Sequence, residues 1–286
     1  MTEQPNLVTQ NASDGYPLHV AIWPAHGAIK GRVVVLHGVQ SHSGWYHNLG
    51  RTLASAGYEA HFPDRRGSGA NQTDRGHTPS ARRLILDQTE WLADLKRQDP
   101  AVPIALAGIS WGGKIAVITA GREPSLVDAL ALICPGLHPR VGVTRAERLR
   151  IAWAFFTNRL KRFPIPLSDP ALFTAHPDGQ AYIAADPLSL RDATASLLAA
   201  STFIDRMVAR IPPKVRQPAL LMLAGHDRIV DNEKTLAYFN TLASPMRETI
   251  EYPDGHHTLE FEPDPSRYAL DLVAWLGRVL PAPSAI

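Results

Sequence analysis

The sequence predicts an α/β fold: a mostly parallel central sheet flanked by helices, with a helical insertion over one sheet edge. Three observations predict it. Short runs that are apolar on both faces alternate with longer helical patterns along the chain. Several of these runs end at a glycine or an aspartate, where a strand passes into a loop. One stretch, residues 137–218, interrupts the alternation with many prolines, helical pieces and no convincing strand.

The elements follow in order. Pro17–Trp23 reads as an antiparallel lead-in strand. Arg32–Gly38, Tyr58–Asp64, Ile104–Ser110 and Ala129–Gly136 read as central strands, and Ala219–Asp227 and Arg247–Gly255 complete the set. Leu49, Leu53 and Ala56 fit a helix that closes at Gly57, and Leu84, Trp91, Leu92 and Leu95 fit a longer one. Lys114–Arg122, Asn232–Leu242 and Ser266–Leu280 fit three more. The chain of 286 residues is thus expected to form one domain, 1–286, with 137–218 as a cap inserted within it.

Composition narrows the class. Hydrophobic residues make up 45% and charged residues 20%, as in a globular protein. The formal charge of +2 argues against a dedicated nucleic-acid binder. A single cysteine, Cys134, forbids an internal disulfide and suits a reducing compartment; burial as a small hydrophobe is its expected role. The N-terminus lacks the basic and apolar regions of a signal peptide, and no run reaches transmembrane length, so a cytoplasmic location is expected.

Gly108-Ile109-Ser110-Trp111-Gly112 matches G-x-S-x-G, between an apolar strand and a helix-compatible run. This is the context in which a serine is presented on a sharp strand-to-helix turn, making Ser110 the candidate nucleophile. At such a site the acid and then the histidine follow in chain order. Asp227 ends an apolar run, where sites of open sheets form. Asp231 better fits the cap of the helix that follows. His256 and His257 come after the last strand, and spacing alone does not separate them as the general base. An oxyanion hole needs two backbone N–H donors. Trp111, after the nucleophile, supplies one, and Val39, in the loop opened by His37-Gly38, supplies the other. This chemistry requires no metal and no organic cofactor.

With these motifs assembled, the chain resembles the monoacylglycerol lipase, lysophospholipase and serine aminopeptidase-like group of α/β hydrolases. The resemblance rests on HGVQSHSGWY (His37–Tyr46), DRRGSG (Asp64–Gly69), the serine turn, YIAADPL (Tyr182–Leu188), GHDRIVD (Gly225–Asp231) and YPDGHHTLEFE (Tyr252–Glu262), and so covers nearly the whole chain. It implies the α/β-hydrolase fold and ester cleavage by an acyl-serine mechanism on a small acyl ester, including lipids. In this group a glutamate follows the base by five residues, so Glu262 selects His257 and leaves His256 as the alternative. Where many members carry methionine after the nucleophile, this chain has Trp111, which would narrow the acyl pocket if it points inward. The same residues would serve a short-chain carboxylesterase, a thioesterase or an aminopeptidase. The last needs an acidic group to hold the substrate ammonium, with Asp169, Asp178, Asp186 and Asp192 as candidates. A non-catalytic binding protein on the same fold would be expected to lack a part of this set.

Within the insertion, Leu149, Ala152, Trp153, Phe156, Leu160 and Phe163 recur at helical spacing, surrounded by Arg145, Arg148, Arg150, Arg159, Lys161 and Arg162. The expectation is a helix that buries this apolar face on the sheet domain. The alternative is peripheral contact with a lipid surface, or an acyl tunnel lined by this face.

Overall fold

The computed structural model describes residues 4–280. The leader reading above begins on residues 1–3, which lie outside them. Among the described residues there are ten strands: β1 (Asn6–Asn11), β2 (Pro17–Trp23), β3 (Gly31–Leu36), β4 (Tyr58–Pro63), β5 (Ile104–Ile109), β6 (Ala129–Ile133), β7 (Arg162–Pro164), β8 (Asp192–Thr194), β9 (Ala219–Ala224) and β10 (Arg247–Tyr252). Eight of them form one sheet in the order β1-β2-β4-β3-β5-β6-β9-β10. From β4 to β10 all neighbours are parallel, whereas β1 and β2 add an antiparallel edge.

The central strands β3, β5, β6 and β9 are buried along their whole length, because helices cover both faces. Helices α1 (His47–Ser55) and α8 (Ser266–Val279) cover one face, with Leu49, Leu53, Leu272, Trp275 and Leu276 in its core. Helices α2 (Ala81–Gln98) and α3 (Gly112–Arg122) cover the other, with Leu92, Leu95, Ile115 and Ile118. Gly57 closes α1 at φ +91°, a left-handed position that glycine adopts without steric cost.

The apolar runs of the sequence overshoot the observed strands by one to three residues at the carboxyl end. Gly38, Ser110, Gly136, Asp227 and Gly255 fall just beyond β3, β5, β6, β9 and β10. All five therefore sit on loops at one edge of the sheet. Strand β1 went unrecognised in the sequence. It is an exposed edge strand, NLVTQN, with no apolar face to bury.

Between β6 and β9 the chain forms α4 (Arg145–Thr157), α5 (Pro177–Ala185) and α6 (Ala195–Val208). The expected absence of strands here is corrected by β7 and β8, an antiparallel pair of three residues each. They are too short to alternate legibly, and Pro164 ends β7. The expected role of the α4 face is also corrected. Leu149, Trp153, Phe156 and Leu160 are 65–83% exposed, and of that stripe only Phe163, on β7, is buried. The helix packs instead through Ile151 and Ala154, against Ala195 and Leu198 of α6. Small residues on both helices permit this close packing and turn the larger stripe outward. A capping box, Thr144 with Glu147, fixes the start of α4. Cys134 is buried, as expected.

Helix α7 (Asn232–Asn240) follows β9 and begins at Asp231, whose side chain accepts the Lys234 N–H. Asp231 thus takes the capping place, leaving Asp227 for other partners.

Candidate active site

Ser110 stands between β5 and α3 with φ +51°, a left-handed conformation rarely adopted by a serine. The turn is locked by the Ser110 N–H on Ile133 O (3.0 Å) and by the Gly113 and Gly136 N–H groups on Ser110 O (3.0 and 2.7 Å). The motif glycines are steric requirements. A Cβ on Gly108 would lie 2.6 Å from Gly113 Cα, and one on Gly112 would lie 2.2 Å from Leu36 O.

His257 lies with Nε2 2.8 Å from Ser110 Oγ and Nδ1 2.7 Å from Asp227 Oδ2. The second Asp227 oxygen accepts the N–H groups of Ile229 and Val230, each at 2.8 Å. That pair of bonds fixes the carboxylate on the loop after β9 and satisfies its far side. With Asp227 accepting, the His257 proton sits on Nδ1, and Nε2 is free to accept from the Ser110 hydroxyl. Both His257 and Asp227 are buried.

His256 faces away. Its N–H and its Nδ1 both meet Glu262 Oε1, at 2.9 and 3.1 Å, and its ring leans against His226. Glu262 thus braces the loop that carries His257, which gives the five-residue spacing a physical meaning. The adjacent Glu260 reaches to the start of α1, where it accepts the Asn48 N–H (2.6 Å) and the Leu49 N–H (3.3 Å). Burial pushes its carboxyl up to about 7, against those hydrogen bonds and one from Tyr268.

The loop after β3 approaches the serine closely. A Cβ on Gly38 would lie 3.3 Å from Ser110 Cβ. The Gly38 N–H is held by Ser41 Oγ (3.0 Å), which pairs with Tyr46 OH (3.0 Å). On the other side, Trp111 N lies 3.2 Å from the place a Cβ on Gly136 would take. Val39, Ser110 and His257 line one small cavity of about 10 Å³, roofed by Leu167 and Phe173 from the β6–β9 segment. Phe173 sets its ring edge-on to both His257 (6.1 Å) and Trp45 (5.7 Å).

The Trp111 indole does not line this cavity. It is buried toward α6, where Nε1 donates to Ser201 Oγ (2.9 Å). The indole N–H finds its partner on α6, as a buried tryptophan N–H requires.

The four acids considered for an ammonium site are dispersed. Asp186 is buried, accepting from Trp45 Nε1 (2.7 Å) and Ser189 Oγ (2.9 Å) and meeting His42 Nε2 (3.0 Å). Asp169 caps the short 3-10 turn at Pro170–Leu172, and Asp192 pairs with Arg162. None of the four, Asp178 included, lines the cavity at Ser110.

Sequence reasoning missed several positioning residues. Asp64 accepts the Ser43 N–H (2.7 Å) and the Ala70 N–H (2.8 Å), tying the loop after β3 to the turn after β4. Asp186 ties the β6–β9 segment to the same loop. Both lie inside the quoted motifs DRRGSG and YIAADPL, so the signal was present without its meaning. Arg65 carried no signal beyond its place in DRRGSG.

A mostly parallel sheet that presents a left-handed serine at its carboxyl edge, with acid and histidine following in chain order, defines an α/β-hydrolase. The family described as serine aminopeptidase, S33, matches residues 27–264, and the chain belongs to that family. It is a serine hydrolase. The monoglyceride lipase of Homo sapiens is 25% identical over 265 residues, covering 90% of this chain and 84% of that one. The monoacylglycerol lipase of Mycolicibacterium smegmatis is 23% identical over 257 residues, covering 89% and 91%. The crystal structure of a soluble variant of monoglyceride lipase from Saccharomyces cerevisiae, in complex with a substrate analogue, superposes with a TM-score of 0.86. Its identity is 19% over 99% of this chain and 98% of that one, and this likeness concerns the fold. Among the described residues no helix is long and apolar enough to cross a membrane.

Proposed function

We propose that the protein hydrolyses the acyl ester of a monoacyl lipid, a monoacylglycerol or a lysophospholipid, through Ser110, His257 and Asp227. The observation that carries this reading is the His257 imidazole, bonded on one side to Ser110 Oγ and on the other to Asp227. His257 takes the hydroxyl proton as Ser110 attacks the ester carbonyl, and Asp227 steadies the imidazolium. The N–H groups of Val39 and Trp111 receive the oxyanion. The alcohol leaves with the proton from His257, and water then hydrolyses the acyl-serine.

Leu167 and Phe173 line the cavity at Ser110, and we read them as the side chains that shift when the acyl chain enters. We read residues 137–218 as a cap on the single hydrolase domain, and these two side chains as its inner surface. The relatives named as monoglyceride lipases support the lipid reading. The scattered acids of the cap favour an ester over an aminopeptidase substrate. A panel of monoacylglycerols, a lysophospholipid, short and long nitrophenyl esters, an acyl thioester and an aminoacyl anilide tests this. The expected result is turnover of the long-chain glycerol or lysophospholipid esters at least tenfold faster, in kcat/KM, than of the anilide. Preference for the anilide would replace the lipid reading with the aminopeptidase one. A lone buried cysteine suits a cytoplasmic location.

The outward face of α4 supports peripheral contact with a lipid surface. Trp153 (73% exposed) and Phe156 (83% exposed) stand among exposed Arg145, Arg148, Arg150 and Arg159. Apolar rings flanked by cations suit an interface with anionic lipid. Co-sedimentation with vesicles containing phosphatidylglycerol checks this. The wild-type protein is expected to bind, and the double variant Trp153→Ser with Phe156→Ser to bind at least about tenfold more weakly. Equal partitioning of the two proteins would remove the membrane reading.

A further inference from the structure

Arg65 is 6% exposed, yet every hydrogen bond its guanidinium makes ends on a neutral oxygen. Nη1 donates to Gly38 O (3.0 Å), and Nη2 donates to Val39 O (2.7 Å) and Ser68 Oγ (2.8 Å). Its Nε has no partner among the described residues. Burial holds this guanidinium below the usual arginine range, at about 10, so it remains a cation at neutral pH. The neighbouring Asp64 charge offsets part of that burial without a hydrogen bond, and a buried cation bonded only to neutral oxygens is costly to keep and calls for a function.

Its surroundings indicate one. Gly38 O also receives the His37 ring, at 2.7 Å. His37 Nε2 accepts the Arg65 backbone N–H (2.9 Å), so its proton lies on Nδ1 and is given to Gly38 O. Burial and the nearby Arg65 charge hold the His37 imidazole well below its ordinary range, which keeps it neutral in this role. Two donors thus grip one carbonyl. The peptide is trans, so the Val39 N–H of the same unit points the opposite way. Gly38 and Val39 both line the cavity that holds Ser110. The guanidinium also lies over the Trp111 indole, 5.0 Å from the ring centre, so one cation contacts both residues proposed to hold the oxyanion.

We propose that Arg65 is a positioning residue of the oxyanion hole: it holds the Gly38–Val39 peptide so that the Val39 N–H faces the reacting carbonyl, and its charge strengthens that donor as negative charge develops. The inference rests on the assignment of Val39 and Trp111 to the hole. A cation on the carbonyl of a peptide polarises its N–H, and the gain is larger for an oxyanion than for a neutral carbonyl. The effect therefore belongs to the transition state, appearing in kcat more than in KM.

The test compares wild type with Arg65→Lys and Arg65→Met, each checked for folding by circular dichroism. Three quantities are read: kcat, KM, and the affinity for an alkyl trifluoromethyl ketone, which adds to serine and carries an oxyanion. A non-reactive alkyl amide reports ground-state binding. Arg65→Met is expected to lower kcat about 10- to 100-fold, weaken the ketone by a similar factor, and leave KM and the amide within about threefold. Arg65→Lys keeps the charge without the fork and is expected to fall between the two. If Arg65→Met does not fold, Arg65→Lys decides the matter by the same comparison. Unchanged kcat and ketone affinity in a folded variant would overturn the proposal, as would equal loss of ketone and amide. Ketone binding by wild type that survives Ser110→Ala would instead count against the proposed site itself.

Discussion

Ser110→Ala is expected to lower ester turnover on the order of 10⁵-fold while leaving the fold intact. In the proposed mechanism the Ser110 hydroxyl becomes the acyl-enzyme, and alanine offers no nucleophile. Residual catalysis would come from binding and the oxyanion hole, which supply about 10³- to 10⁴-fold over water in comparable sites. Ser110 is only partly buried, and its side chain bonds to His257 rather than to the core. The truncation therefore leaves the Gly108 and Gly112 contacts in place, and circular dichroism should match wild type. Steady-state kinetics on the preferred ester measure the loss. Retention of more than a tenth of wild-type turnover would remove Ser110 from the mechanism.

The adjacent histidines should respond very differently to the same substitution. His257→Ala is expected to cost on the order of 10⁴-fold or more in kcat, because its ring bonds both Ser110 and Asp227. Asp227→Asn is expected to approach the same loss by favouring the wrong tautomer. His256→Ala is expected to stay within about fivefold. Its backbone N–H keeps the bond to Glu262, and only the ring contact is lost. Kinetics on the two folded histidine variants check this. A larger loss in His256→Ala would exchange their roles.

Much of this site was legible because its residues are tied to breaks in strong local patterns. Ser110, Asp227 and Gly38 each follow an apolar run that ends abruptly, and strand ends of one parallel sheet share an edge. The choice between His256 and His257 needed Glu262, whose bonds to His256 hold the following residue toward Ser110. What stayed hidden depends on packing between distant segments. The stripe through Leu149, Trp153 and Phe156 is amphipathic whichever way it points, and its outward turn is decided by the fit of Ile151 and Ala154 against α6. The role proposed for Arg65 depends on the approach of the turn after β4 to the loop after β3, which the parallel pairing of the two strands brings about and no local pattern records. Strand β1 lacks any apolar face, so its pairing with β2 leaves no periodic trace.

The most direct test of the central claim is covalent labelling of the purified protein with an alkyl fluorophosphonate, followed by mass spectrometry of the digested adduct. The account predicts one equivalent of label, carried by the peptide containing Ser110, and no label on the Ser110→Ala protein. A label on another residue, or a folded wild-type protein that takes none at any probe chain length, would contradict it.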